Sequence, residues 1–310
     1  MQVIALFGPT GVGKTAVAVA LARRLRATGE DPVAVSADAL QVYMGLETLT
    51  GVASPVERAA LEHRLVSFLP PDASFSAGQY AELAHAEIDV LLAQGRRPIV
   101  VGGTGLYLRA ALTELSLRPP PPEGLRERLR AELEREGPQV LHARLAAAAP
   151  WAAARIEPTD RQRIVRALEL LAAGELEPPE GPSQLWTEEV RRPTLLVGLT
   201  LERERLYAQI DARVEAMLAA GVREEVLRAH AAGASGTARK ALGFEELLAG
   251  DVEAMQRRTR NYARRQLSWM RKLAGVHLID LTGRNAEEVA GGIVAALALP
   301  APARPAAGRG

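Results

Sequence analysis

The stretch Gly8-Pro9-Thr10-Gly11-Val12-Gly13-Lys14-Thr15 lies directly after an apolar run, Val3 to Phe7, and directly before a helical pattern, Ala16 to Leu25. Strand, glycine loop and helix in that order satisfy the pattern G-x-x-x-x-G-K-[ST]. In this pattern backbone N–H groups cradle phosphates, the lysine contacts them as a point charge, and the hydroxyl of the last residue, Thr15, reaches Mg²⁺. Lysine occurs only three times in the 310 residues, at Lys14, Lys240 and Lys272, so a chance match is rare, on the order of a few in a thousand. A helix N-terminus offers four unpaired N–H groups and a partial positive charge, so Gly8 to Thr15 is expected to hold a di- or triphosphate. The chain must then build a parallel sheet that carries this loop on one strand.

The residues that follow supply that sheet. Pro32 to Ala37 predicts a second buried strand, ending at Asp38 in the run Asp38-Ala39-Leu40-Gln41-Val42-Tyr43. Ligands of open α/β sheets sit beyond the carboxyl ends of strands, which places Asp38 for chemistry; a cap or turn after the strand is its other use. Arg64 to Phe68 predicts a short strand and Ser76 to Gln94 a helix. Pro98 to Val101 is a further apolar strand, followed by Gly102-Gly103-Thr104-Gly105 and helical Leu106 to Leu112. This second loop either brings more backbone donors and the Thr104 hydroxyl near the phosphate, or is an ordinary glycine-rich junction.

Arg118-Pro119-Pro120-Pro121-Pro122-Glu123 breaks the alternation, and the chain to about Ala173 is helical with no strand candidate. Leu195 to Leu199 resumes the buried-strand pattern. The expected architecture is an α/β P-loop NTPase-like parallel-sheet core, discontinuous over 1–113 and 194–299. A helical insertion spans 114–193, and the Pro, Ala, Gly and Arg tail at 300–310 should be disordered. In the insertion, Gly124 to Glu136 mixes arginines and glutamates as a solvated helix does. A later helix carries Arg163 and Arg166 one turn apart beside Ile164, Leu168 and Leu171. In the core, Arg213 borders the apolar stripe Leu206, Ile210, Val214, Met217 and Leu218, where it either lies along that stripe or reaches into the cleft.

The main basic cluster is a helix from Gln256 to Leu273 holding Arg257, Arg258, Arg260, Arg264, Arg265, Arg271 and Lys272 without one acidic residue. Uncompensated charges so crowded favour a polyanion such as RNA; the interleaved Tyr262 and Trp269 would stack on bases or pack on the core. The whole chain carries only +1, so this surface is local. Absence of cysteine excludes disulfides, thiolate zinc sites, iron–sulfur clusters and cysteine nucleophiles, and the five histidines are scattered without ligand spacing. No apolar run approaches a membrane span and no charged leader precedes the first strand, so a cytoplasmic protein is expected. Together these features read as an enzyme acting on a phosphorylated small molecule and an RNA. Two alternatives share the loop: a P-loop small-molecule or nucleotide kinase, and an RNA-binding P-loop NTPase. The first leaves the basic helix and the insertion without a purpose. The second needs an apolar strand ending in a magnesium-holding Asp, and the candidates are Pro98 to Val101, which ends in Gly102, and the late Leu278-Ile279-Asp280.

The motifs resemble those of the bacterial tRNA dimethylallyltransferases, also called tRNA isopentenyltransferases, over nearly the whole chain. The resemblance rests on Gly8 to Thr15, Ser36-Ala37-Asp38 with Gln41-Val42-Tyr43, and Val101 to Tyr107. It continues in Asp160 to Ile164, Arg166 to Glu169, Arg213-Val214 with Met217-Leu218 and Gly221, Leu242-Gly243-Phe244, and Thr259 to Gln266. Ala39 stands where the family usually has Ser, and Phe244 where Tyr is frequent. The resemblance implies transfer of the dimethylallyl group from dimethylallyl diphosphate to N6 of adenine 37 in the tRNA anticodon loop. Gly8, Pro9, Thr10, Gly11, Val12, Gly13, Lys14 and Thr15 would hold the diphosphate, Thr15 through Mg²⁺. Asp38 would accept the amine proton, Thr104 would bind the base or a phosphate oxygen, and Lys14 and Arg213 would stabilise the leaving group. The implied tRNA contacts are Asp38, Ala39, Leu40 and Gln41; Thr104; Arg126; Gln162, Arg163, Ile164, Val165 and Arg166; and Arg239, Lys240, Ala241, Leu242, Gly243 and Phe244. A monomer is expected.

Overall fold

The computed structural model describes residues 1–118, 121–122, 124–178 and 183–298; the tail at 300–310 lies outside them. Six strands form one parallel sheet in the order β3-β2-β4-β1-β5-β6. They are β1 (Val3–Phe7), β2 (Pro32–Ser36), β3 (His63–Arg64), β4 (Arg97–Gly102), β5 (Thr194–Thr200) and β6 (His277–Asp280). Helices α1 (Lys14–Ala27), α2 (Glu47–Thr50), α3 (Pro55–Ala60), α4 (Ala77–Ala93) and α5 (Gly105–Leu112) follow the first four strands. The insertion holds α6 (Leu125–Glu136), α7 (Pro138–Ala148), α8 (Pro150–Ala153) and α9 (Arg161–Ala172). The core resumes with α10 (Arg203–Ala219), α11 (Val222–Ala231), α12 (Phe244–Leu248), α13 (Val252–Met270) and α14 (Ala286–Leu297).

A parallel sheet needs both faces covered, and the alternation along β1 divides the core accordingly. Ile4 and Leu6 pack with Val17, Leu21 and Leu25 of α1 and with Val289 and Ile293 of α14. Val3, Ala5 and Phe7 pack on the other face with Tyr80 and Ile88 of α4 and Leu108 of α5. Beyond the strand ends, a further cluster joins Tyr43, Leu46 and Leu49 to Val214, Val226 and Phe244.

The chain divides into two compact units, Met1–Leu115 with Leu185–Gly310, and Ser116–Gln184. Residues 185–193, expected within the insertion over 114–193, stay with the sheet unit: Arg109 of α5 donates to Thr187 Oγ1 and the Glu189 carbonyl, and Arg191 donates to Asp89. The insertion has its own core of Leu129, Leu133, Leu141, Leu145, Ile164 and Leu168. At its centre the buried Glu169 carboxylate accepts a two-pronged bond from Arg126 at 2.6 and 2.8 Å and a third from Arg166 at 3.1 Å.

The strand expected over 64–68 stops after Arg64. Leu65 and Ser67 adopt left-handed backbone with φ of 58° and 47°, which a β-ladder cannot continue. Ser67 N–H donates instead to the Gln41 carbonyl, and Phe68 and Leu69 N–H to that of Val42. The basic helix also begins earlier than expected, at Val252 with Asp251 as its N-cap, which brings Asp251 and Glu253 into its first turn.

Candidate active site

The phosphate loop needs glycine at particular points. Gly11 and Gly13 have φ of 82° and 94°, left-handed values that glycine takes without strain. A Cβ at Gly8 would lie 2.9 Å from the Leu199 carbonyl oxygen of β5. No side chain caps α1 and no acidic residue sits in its first turn, so its N-terminal donors face the loop, where an anion gains most from them. Lys14 Nζ donates to the Gly8 and Pro9 carbonyls at 3.0 and 2.9 Å. The Thr15 hydroxyl on that first turn makes no hydrogen bond to a described residue.

Asp38 lies just past β2, next to β4, and its Oδ1 accepts the Leu40 N–H at 3.0 Å. Burial pushes its carboxyl above the usual range, while the Leu40 amide and the cations Lys14 and Arg213 pull the other way. Burial also lowers the Lys14 ammonium to about 8, with Asp38 opposing and Arg213 adding to the shift. Arg213, on α10, reaches into this group rather than lying along its own helix: its guanidinium packs on the backbone of Gly51, leaving no space for a Cβ there. Burial lowers its pKa, with Asp38 and Glu57 opposing. Two cations and one carboxylate, each half-buried, therefore act on one another electrostatically, and no carboxylate lies within 4 Å of the Arg213 guanidinium among the described residues.

The support under Arg213 is itself built from the sequence around Asp38. Gln41 Oε1 accepts the Ser36 hydroxyl at 2.9 Å, and its Nε2 donates to the Gly51 and Thr50 carbonyls at 3.1 and 3.3 Å. The buried Glu225 accepts the N–H groups of Thr48 and Leu49, capping α2 just before Gly51. Gln41 thus props the loop on which Arg213 rests.

The second glycine loop stands level with the first, because β1 and β4 pair Phe7 with Gly102 as their last residues in register. Gly102 packs against the Ala37 carbonyl too closely for any side chain. Thr104 begins α5 without its hydroxyl capping the helix; Oγ1 lies 3.4 Å from the Tyr262 O–H of α13. Burial, with the Asp38 charge adding, pushes Tyr262 up to about 12. Trp269 lies over Gly105 and 4.5 Å from Trp186 between ring centroids, so this aromatic packs within the protein. The composition of α13 gives no hint of Gln266. It is buried, its Oε1 accepts the Thr10 N–H and its Nε2 donates to the Gly103 carbonyl, both at 2.8 Å. A polar residue four after Tyr262 and three before Trp269 on the inward face was the available signal.

The expected RNA contacts divide by exposure. Ala241 and Phe244 are buried in the core, while Arg239 is partly exposed and paired with Glu245 at 2.8 Å. Lys240 ends the short turn Ala238–Lys240, Leu242 is half-buried, and Gly243 turns the chain into α12 with φ of 96°. In the insertion, Gln162 and Arg163 are exposed, whereas Ile164 and Val165 are core residues and Arg126 and Arg166 hold Glu169. Ala39 and Leu40 are half-buried beside Asp38. On α13 the arginines are not uniformly uncompensated. Arg257 meets Glu253, Arg258 meets Glu246 at 2.6 Å and Arg260 meets Asp211, because acidic partners come from the helix start and from neighbouring helices. Arg264, Arg265, Arg271 and Lys272 are exposed and have no acidic partner within 4 Å among the described residues.

Fold and site together define an α/β enzyme of the P-loop type. A family model described as "IPP transferase" matches residues 41–273. A tRNA dimethylallyltransferase of Anaeromyxobacter dehalogenans is 45% identical over 291 residues, covering 89% of this chain and 94% of its own. One from Symbiobacterium thermophilum is 39% identical over 92% of this chain and 91% of its own. The crystal structure of a tRNA isopentenylpyrophosphate transferase from Bacillus halodurans superposes with a TM-score of 0.68 at 31% identity, covering 96% of each chain. A eukaryotic dimethylallyltransferase acting on tRNA shares the fold, with a TM-score of 0.72 at 22% identity over 98% of this chain and 81% of that one. The chain belongs to the IPP transferase family.

Proposed function

We propose that this protein is a tRNA dimethylallyltransferase, transferring the dimethylallyl group from dimethylallyl diphosphate to N6 of adenine 37 in the anticodon loop of tRNA and releasing diphosphate. The observation that carries this reading is the half-buried carboxylate of Asp38, just past β2, coupled electrostatically to Lys14 of the glycine loop and to Arg213. That arrangement puts a proton acceptor beside a cradle for a polyanionic diphosphate leaving group.

An exocyclic amine is a weak nucleophile, so the leaving group needs stabilisation as its bond to carbon breaks. The amide groups of the loop, Lys14 and Arg213 supply fixed positive charge where negative charge grows. As N6 bonds to the allylic carbon, the carbon–oxygen bond breaks, diphosphate departs, and the N6 proton passes to Asp38. Its raised pKa makes it a better base than a solvated carboxylate. Thr104, held by Tyr262, is placed to hydrogen-bond the base or a phosphate oxygen. A target in a single-stranded loop leaves its stack at modest cost.

The Thr15 hydroxyl, without a hydrogen-bond partner among the described residues, would hold a Mg²⁺ ion; no cluster of three acidic or histidine ligands among the described residues offers an all-protein site. Bound there, the ion would supply further charge neutralisation on the diphosphate. The exposed cations of α13, with Gln162, Arg163 and Arg239, are the candidate tRNA contacts. No described helix is long and apolar enough to cross a membrane, and a tRNA substrate points to the cytoplasm. Incubation with Mg²⁺, labelled dimethylallyl diphosphate and unmodified tRNA should give a labelled N6-substituted adenosine after digestion. Release of phosphate from ATP, with no labelled nucleoside, would favour a kinase or NTPase instead.

A further inference from the structure

Three residues of α13 spaced i, i+4 and i+7 meet three successive residues of the second glycine loop. Tyr262 faces Thr104, Gln266 bonds Gly103, and Trp269 covers Gly105. This spacing is one face of a helix laid along the loop. The sheet holds the two glycine loops level only as far as the Phe7 and Gly102 pair. Past that pair, the Gln266 carboxamide is the one side chain among the described residues that hydrogen-bonds both: the Thr10 N–H on one loop and the Gly103 carbonyl on the other.

We propose that Gln266 is a positioning residue that sets the spacing between the loop holding the diphosphate and the loop presenting Thr104. The inference rests on the prenyl-transfer reading above. One loop offers a donor and the other an acceptor, so the linking group must carry an acceptor and a donor in fixed opposition. A carboxamide does this with both ends satisfied and buried. An ionised carboxylate of the same shape would meet the Gly103 carbonyl with an acceptor, and an apolar side chain would leave both backbone groups unpaired. Prenyl transfer needs amine, allylic carbon and departing oxygen aligned, and a displacement of about 1 Å in such an alignment costs on the order of 10²-fold in rate. Gln266 touches neither reactant in this account. Its loss should lower kcat and leave both substrates binding.

The test compares the wild type with Gln266→Met and Gln266→Glu, measuring kcat and KM for dimethylallyl diphosphate and tRNA from pH 6 to 8.5, with thermal melting of each variant. Gln266→Met should lose roughly 10- to 100-fold in kcat with each KM within about threefold. Gln266→Glu should be as impaired at pH 8, but its activity relative to the wild type should rise as pH falls, because the protonated carboxyl again offers Gly103 a donor and Thr10 an acceptor. That rescue keeps the proposal testable if the methionine variant unfolds. A folded Gln266→Met with kcat within about threefold of wild type, or a Gln266→Glu whose relative activity is independent of pH, overturns the positioning role. A wild type that alkylates no tRNA overturns instead the reading on which it rests.

Discussion

The Lys14 ammonium offers the sharpest test of the site's electrostatics. Burial lowers it from the ordinary 10.5 to about 8. In the ligand-free protein the cationic fraction is then about one-half at pH 8 and about one-tenth at pH 9, where an unperturbed lysine stays almost fully charged. A diphosphate beside Lys14 restores the charged form, so binding must draw a proton from solvent wherever the free lysine has lost one. The sign follows: affinity is full below about pH 8 and weakens as pH rises through it, with Kd growing about tenfold per unit once Lys14 is mostly neutral. Proton uptake per bound ligand should be near zero at pH 6.5, about 0.5 at pH 8 and about 0.9 at pH 9. Calorimetric titration with dimethylallyl diphosphate alone, in two buffers of different ionisation enthalpy at each pH, reads that number directly. Lys14→Arg keeps a cation that does not titrate and should take up almost none at pH 8 to 9. A wild type with no uptake at pH 9, or an arginine variant with equal uptake, would refute the assignment.

Asp38→Asn keeps size and removes the base, so kcat should fall roughly 10²- to 10⁴-fold; a change confined to KM would make Asp38 a binding residue. Because its carboxyl is raised and must be ionised to act, wild-type kcat/KM should fall with decreasing pH on a limb above the ordinary carboxylate range, measured under non-saturating substrate. Replacing Arg264, Arg265 and Arg271 together with Gln should weaken tRNA binding and flatten its log–log salt dependence by about one to three units. An unchanged slope in a folded variant would move the RNA surface elsewhere. Glu169→Gln removes the buried charge between Arg126 and Arg166 and should destabilise the insertion by about 1–3 kcal/mol, the lower part applying because Arg126 is 39% exposed. Its carboxyl is held below the usual range, so this contribution is present above about pH 4.3 and is lost as pH falls further. In urea melts the difference between the two proteins should be full at pH 7 and shrink progressively as pH falls below about 4.3; a difference that does not change with pH would refute the charge's role.

Most of the sheet was legible because a strand buried on both faces reads as an unbroken apolar run. Val3–Phe7, the stretch Pro32 to Val35 and the stretch Leu195 to Leu199 all do. The phosphate loop and Asp38 were legible for a related reason: local spacing fixes both, each immediately after such a strand. Leu65 and Ser67 were not, since left-handed backbone at residues other than glycine is imposed by the tertiary bonds to Gln41 and Val42. Partners distant in sequence were equally hidden. Glu246 and Asp211 neutralise Arg258 and Arg260 from other helices, so counting charges along α13 alone overstated its free positive charge. Arg213 had two possible uses on its helix, and only the placement of Gly51 beneath it decides between them.

The bond from Thr10 to Gln266 joins residues 256 positions apart in sequence. Contacts of that separation form late, after long loops have been closed. The loop Gly8 to Thr15, though contiguous in sequence, therefore waits on a distant helix before it has its full geometry. During synthesis β1 and α1 emerge long before the face of α13 that braces the second loop. A chain truncated before residue 266 would keep the phosphate signature and lack the brace between its two glycine loops. Helix α13 thus ties completion of the candidate site to long-range tertiary assembly.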